Sequence, residues 1–251
     1  MAAIARSVYF ASMFKSDNFK ESSGKVRMPC NKKVMGKIIE YLYVGVFNPA
    51  TLIPEEKLHL LNMFRMMLLH DAFVKLEDNF IRVCVSHIDS NEAVASLTKY
   101  VDILDLALSL NLATISSELL LRLDLFLPKI VDTIIDEELA VPNAVVFALA
   151  NAGTDVFSTF RLINHFKNTT FVEEQIPDIN LEALTVDQLE KDVASSGLYK
   201  ESDVLKVIVA KQKEEIEQLN IRLTFKARGT NVKMVSRREG RPLKRSYDSS
   251  N

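Results

Sequence analysis

Residues 3–47 read AIARSVYFASMFKSDNFKESSGKVRMPCNKKVMGKIIEYLYVGVF, and the order of elements they predict decides the fold. A small helix ends at Arg6-Ser7, and a second short apolar helix covers 8–14, with Val8, Tyr9, Phe10, Met13 and Phe14. A polar loop over 15–24 leads into a short strand over 25–28. Pro29 stops that strand, because its ring has no N–H to give to a ladder. Asn31 is placed to cap a longer helix over 32–44. Val34, Met35, Ile38, Ile39 and Leu42 recur there at three- and four-residue spacing, so they are expected to line one face.

This order of elements resembles the BTB/POZ domain. ARSVYFASMF is similar to that family's A-x-S-x-Y-F-x-x-M-F segment, and FKES, KVRMP and IIEYLYVG follow in the family's order at similar spacing. Each piece alone is weak, and four in the right order make the likeness specific. The resemblance implies a non-enzymatic domain that dimerises and, in many members, docks Cullin-3 as an adaptor of a ubiquitin ligase. The family's opening strands are expected ahead of the A-x-S step, where this sequence has only a few residues. The expectation is therefore an N-terminally truncated or diverged BTB domain.

Two site readings follow from the resemblance. Phe19-Lys20-Glu21 has the hydrophobic-x-acid form that precedes the third strand in cullin-binding members. There Phe19 would fill a partner pocket and Glu21 would set register. A solvated loop with an incidental Phe is the plainer reading of the same three residues. Tyr43, the tyrosine of the Y-x-G step, lies near the cullin-facing surface in the family. A packed tyrosine with its hydroxyl at the rim is the commoner arrangement in general, and Tyr41, two residues earlier, competes for the inward role.

Outward from this stretch, the chain reads as helices. Pro54-Glu55-Glu56 opens one, with Pro at the first helical position and acids at the positive end of the dipole. Leu58, Leu61, Phe64, Leu68 and Ala72 repeat at helical spacing. A break near His70-Asp71 precedes Phe73, Leu76, Phe80 and Cys84, so a helical hairpin is expected and the BTB likeness extends to residue 88. Asp89 followed by Glu92 resembles a capping box for a helix carrying Val94, Leu97, Val101, Leu104 and Leu108. Ile115, Leu119, Leu123, Phe126 and Ile130 form another stripe, with Pro128 as a break or kink. Further helices are expected over 144–152, closed by Gly153, and over 156–166, opened by Asp155.

After a polar loop over 167–177, Leu181, Leu184, Leu189 and Val193 are apolar anchors, and Ser195-Ser196-Gly197 ends a helix. Residues 91–209 are similar, more loosely, to the BACK module that often follows BTB domains, but the tryptophan of many such modules is absent because the chain has no Trp. The last helix continues past the module. Leu205, Val209, Gln212, Ile216, Leu219 and Leu223 fall on a heptad seam with Gln212 as its polar position. A short coiled coil and a lone helix packed on its own domain both fit that spacing. From 226 the apolar period stops and basic residues dominate, so a disordered tail is expected.

The composition excludes several function classes. The 251 residues include 7 Gly and 7 Pro, too few for a turn-rich all-β fold, and no G-x-x-x-x-G-K-[ST] or G-x-G-x-x-G loop occurs. A formal net charge of −2 gives no global pull toward nucleic acid or membrane. The two cysteines, Cys30 and Cys84, make no disulfide framework. Cys84 and His87 stand three apart, but zinc would need two further ligands and no matching short spacing exists. Buried Cys84 on a core stripe is the simpler reading. No G-x-S-x-G or H-E-x-x-H supports catalysis. The most apolar stretch, 104–127, is interrupted by charges and so is not expected to cross a bilayer. In the tail, Arg237, Arg238, Lys244 and Arg245 read as a nuclear import signal, a phosphate-binding arm or a merely soluble tail.

The sequence therefore predicts a mostly helical α+β protein with no catalytic residues, metal or cofactor. Its segments are a BTB/POZ domain lacking its opening strands (1–88), a BACK-like helical hairpin array (89–209), a helix extension (210–225) and a disordered basic tail (226–251). The expected role is an adaptor like a Cullin-3 substrate receptor. Its expected partners are a Cullin-3-like scaffold, a like or unlike BTB protein as dimer partner, and an unidentified substrate protein. The alternative is a scaffold or transcription-associated dimerisation protein with no cullin partner. The cytoplasm is the expected location, with the nucleus as a second.

Overall fold

The computed structural model describes Ser7, Tyr9, Ala11, Ser12 and residues 30–168 and 179–238. The chain groups into two compact units, Met1–Ile179 and Asn180–Asn251. The described residues contain helices and no strand. The expected strand over 25–28 lies outside them, as do Val8, Phe10 and Phe14.

In the first unit, helix α1 (Lys32–Val44) starts where the Asn31 side chain accepts the Val34 N–H at 2.9 Å. Val34, Ile38 and Leu42 are buried. Helix α2 (Pro54–Met66) packs on α1 and on α3 (His70–Phe80), which runs into a π turn (Ile81–Val85). Leu58, Leu60, Leu61, Met63 and Phe64 fill the core between these helices. The hairpin therefore forms where the sequence placed it, but Leu68 is 63 % exposed rather than on the inner stripe.

The reason lies in the joint. Leu68 has φ 56°. Its N–H donates to the Arg65 carbonyl at 3.1 Å, and the Leu69 N–H donates to the Phe64 carbonyl at 2.8 Å. These two bonds form a Schellman cap, which satisfies helix-end carbonyls by one left-handed residue. Leu68 is that residue, so its side chain leaves the core while Leu69 enters it, 2 % exposed. The same device ends two later helices. Asn111 (φ 52°) bonds to Leu108 and Leu112 to Ala107, both at 2.9 Å. Glu138 (φ 49°) bonds to Ile135 at 3.4 Å and Leu139 to Ile134 at 3.0 Å.

The helix expected from Asp89 through Leu108 is split. Asp89 caps its start by accepting the Asn91 and Glu92 N–H groups. Ser96 (φ −118°, ψ 24°) then separates α4 (Ser90–Ala95) from α5 (Leu97–Ser109). The break re-aims the two pieces: α4 packs on α7 (Leu127–Asp136), and α5 packs on α2 and α8 (Asn143–Ala152). Between them, α6 (Ala113–Asp124) buries Ile115, Leu119 and Leu123, and Pro128 sits in the first turn of α7 rather than kinking one long helix. Asp155 caps α9 (Val156–Phe166) by accepting the Ser158 N–H at 2.7 Å. Phe160 and Ile163 are buried, while Phe157 is half-exposed.

The segment boundary drawn after residue 88 falls within this first unit. Arg65, in the last turn of α2, donates to the carbonyls of Leu110 at 2.6 Å and Asn111 at 2.7 Å. A cation thereby meets the negative end of α5 and its unsatisfied carbonyls. Arg122 of α6 donates in the same way to the carbonyls of Ile88 at 3.2 Å and Ser86 at 2.7 Å.

The second unit begins with a 3-10 turn (Leu181–Ala183). Then α10 (Val186–Gln188), a π turn (Leu189–Val193) and α11 (Ala194–Ser196) run head to tail. Thr185 and Gln188 form a reciprocal capping box at its start. Gly197, at φ 70°, reverses the chain into α12 (Glu201–Arg238). Leu184, Leu189, Val193, Val204 and Ile208 are buried. Helix α12 spans Glu201–Arg238 and so runs past the expected start of the tail at 226. Residues 226–238 hold no proline and a single glycine, and Lys, Arg, Met and Ala are good helix formers. Losing an apolar period removes a packing face without removing helical propensity.

Candidate functional site

The end of α1 presents apolar groups to solvent. Gly45 caps the helix at φ 85°, its N–H donating to the Tyr41 carbonyl at 2.8 Å. A side chain there would be strained, so glycine is favoured at this turn. The turn folds Phe47 back beneath the helix. Its ring lies 6.0 Å from Tyr41 and 5.1 Å from Phe64, and Tyr41 and Phe64 are 5.6 Å apart. This cluster resolves the competition between the two tyrosines: Tyr41 turns inward.

Tyr43 points away and is 65 % exposed. Ile39, one turn earlier, is 48 % exposed, and Val44 and Val46 flank Tyr43 at 64 % and 65 %. Ile39 therefore does not share the buried face of Val34, Ile38 and Leu42. It pairs with Tyr43 at i, i+4 on the outer face. Next to this patch lies a cleft of about 190 Å³, lined by Tyr41, Val46, Phe47, Lys75 and Asn79 among others. The cleft is below the usual size of a small-molecule site. Contiguous exposed apolar groups beside a small cleft are the form of a protein-docking surface.

Helix α1 is held in place by Glu56, which is 8 % exposed. Its carboxylate accepts the Ile53 N–H at 3.3 Å and the Asn31 side-chain amide at 3.3 Å, and Lys33 lies 3.4 Å away. One acid thus caps α2 and ties it to the residue that caps α1. Nearby, the Lys57 ammonium sits 4.0 Å from the Cys84 sulfur. Burial pushes the Cys84 thiol up, against the pull of Lys57 and Lys99, and burial also raises Cys30. Thiols held in the neutral form are poor nucleophiles. Among the described residues no group of three or more His, Cys, Asp or Glu could hold a metal ion.

Of the sequence-derived site residues, Tyr43 is described and stands on the exposed patch. Phe19 and Glu21 lie outside the described residues, so their relation to Tyr43 is not part of this geometry. Arg237 and Arg238 end α12, while Lys244 and Arg245 lie outside the described residues. Ile39, Val44 and Val46 were missed as surface residues. The Ile39–Tyr43 spacing was a signal for them, masked because Ile39 also fits the apolar stripe.

The hairpin and its capped first helix form one packed helical module with an exposed apolar face. The family model of the BTB/POZ domain matches residues 3–81, a span that includes α1, α2 and α3. Residues 3–81 are thus similar to the BTB/POZ domain, a generally non-enzymatic module for dimerisation and partner binding, and this match supports a protein-interaction adaptor in general. No curated protein matches the chain. No helix among the described residues is long and apolar enough to cross a membrane.

Proposed function

We propose that the chain is a non-catalytic adaptor whose BTB/POZ domain docks a Cullin-3-like scaffold through the end of α1 and the loop that carries Phe19 and Glu21. The observation that supports this reading is Tyr43, an aromatic 65 % exposed at the end of a rigid, doubly capped helix within the BTB/POZ match. Aromatic side chains are enriched among the residues that dominate binding energy. Ile39 and Val46 extend the contact, and the small cleft accepts a partner side chain. Phe19 is the second aromatic contact and Glu21 sets register, as the hydrophobic-x-acid pattern implies. The helices after α3 act as a BACK-like spacer toward a substrate protein. The adaptor works in the cytoplasm, and Arg237, Arg238, Lys244 and Arg245 give it a route to the nucleus.

Calorimetric titration of the full chain with the N-terminal region of Cullin-3 tests this reading. Wild type binds, Tyr43→Ala and Phe19→Ala each weaken binding by on the order of tenfold or more, and Glu21→Ala weakens it less. Equal affinities for wild type and both aromatic variants would remove this surface from the site. No binding by wild type would move the assignment to a BTB scaffold or transcription-associated dimerisation protein.

A further inference from the structure

Helix α12 carries two different apolar faces. Val204 and Ile208, 1 % and 5 % exposed, are spent on its own unit, where α12 packs against the 3-10 turn, α10 and the π turn. The heptad seam is offset from them by one residue, about 100° around the helix. Its residues remain in solvent: Leu205 50 %, Val209 47 %, Ile216 58 %, Leu219 56 % and Leu223 64 % exposed. The reading in which this helix packs its seam on its own domain therefore fails for these residues.

We propose that the seam of α12 pairs with the same seam of a second copy of this chain, as a parallel, in-register, two-stranded coiled coil over residues 205–223. The a positions are Val209, Ile216 and Leu223, and the d positions are Leu205, Gln212 and Leu219. β-branched residues at a with leucine at d favour two parallel strands. In that register each layer meets its own copy, and the two Gln212 amides face and bond each other. A polar layer of this kind fixes register.

The flanking positions agree. Glu215 of one copy faces Asn220 of the other, and no like charges oppose. An antiparallel pairing would join Glu215 to Arg222, but it sets Gln212 against Leu223. Exposed ion pairs contribute little, whereas an amide buried without its partner costs more. Six side chains per copy, each covering on the order of 80–100 Å², bury about 1,000 Å² in all, the lower limit for a specific interface. The pairing is therefore concentration-dependent. It is independent of the cullin reading, since it uses no residue of the BTB/POZ match.

Cysteine cross-linking of the full chain tests this. Under mild oxidation Gln212→Cys gives on the order of tenfold more disulfide-linked dimer than wild type, because pairing raises the local thiol concentration. Glu217→Cys, at an outward b position, stays at the wild-type level. Adding Ile216→Asp and Leu219→Asp to Gln212→Cys removes the cross-link. Both residues are exposed in the single chain, so helicity by circular dichroism is retained. Equal cross-linking at 212 and 217, or a cross-link that survives the two aspartates, would overturn the proposal. So would preferential joining of Gln212→Cys chains to Leu223→Cys chains, the antiparallel signature.

Discussion

The Ser7 hydroxyl donates to the Met67 carbonyl at 3.1 Å, sixty residues away in sequence. Both residues are buried, each 1 % exposed. Met67 is the C-cap of α2, so its carbonyl is among those a helix leaves without an internal partner. The small hydroxyl of the A-x-S step thus satisfies the turn of a distant hairpin.

Removing that hydroxyl should be costly for its size. Ser7→Ala leaves a buried carbonyl with one partner fewer and is expected to lower stability by about 1–2 kcal/mol. Urea denaturation of the full chain measures this, and a midpoint equal to wild type would contradict it.

The three Schellman caps predict the opposite sign. Left-handed backbone suits glycine, yet the positions are held by Leu68, Asn111 and Glu138. Leu68→Gly and Glu138→Gly are each expected to stabilise by about 0.5–1 kcal/mol, because exposed side chains lose little packing while backbone strain is relieved. Asn111→Gly should change less, since asparagine tolerates this conformation. Thermal melts of the three variants give the order, and a lowered Tm for Leu68→Gly would refute the argument.

Gly153 is constrained by space rather than by backbone, with φ −61°. A Cβ there would run into the Thr159 hydroxyl oxygen and lie 2.9 Å from Leu127 Cδ2 and 3.1 Å from the Leu149 carbonyl. Gly153→Ala is expected to cost about 1–3 kcal/mol through overpacking of the α7, α8 and α9 junction. Thr159→Ser would leave the clash with the hydroxyl in place, so it should not rescue the variant in a denaturation assay.

Tyr100 gives a pH dependence. Its hydroxyl donates to Glu92 at 2.6 Å, and burial, reinforced by the Glu92 carboxylate, raises its pKa above the ordinary value of 10.0. The unfolded chain then releases this proton first. The contribution is fully present below pH 10 and is lost as pH rises beyond it toward the folded-state value, with a slope of about 1.4 kcal/mol per pH unit. Tyr100→Phe should cost about 1 kcal/mol at pH 7 for the lost hydrogen bond. Above pH 10 its stability should fall less steeply than that of wild type. Parallel curves for the two proteins in denaturant titrations would exclude this role.

Much of the first unit was legible in order of residues. Asn31, Asp89 and Asp155 marked helix starts because each side chain accepts N–H groups of its own first turn, and Pro54 marked one because it has no N–H to leave unpaired there; both are local effects that sequence spacing encodes. Gly197 marked an end because glycine takes the left-handed backbone of a helix stop at little cost. The BTB/POZ segment was readable because several short patterns stood in a fixed order, and the family match over 3–81 agrees. Tyr43 could be singled out as one of two candidates, and the choice between it and Tyr41 could not.

Tertiary structure decided what spacing left degenerate. Ile39 fitted an inward stripe and an outward pair with Tyr43 equally well, and the Tyr41–Phe47–Phe64 cluster chose between them. The break at Ser96 had no proline or glycine to announce it; packing of α4 on α7 and of α5 on α2 imposed it. The helix ends at Leu68, Asn111 and Glu138 carried no glycine, because contacts that bury Leu69 and Leu112 outweigh the backbone cost. The heptad seam of α12 was visible as a period, but a period does not say what covers a face. Whether such a face is free depends on which neighbours the rest of the chain brings to it, and those contacts are set by residues far away in sequence.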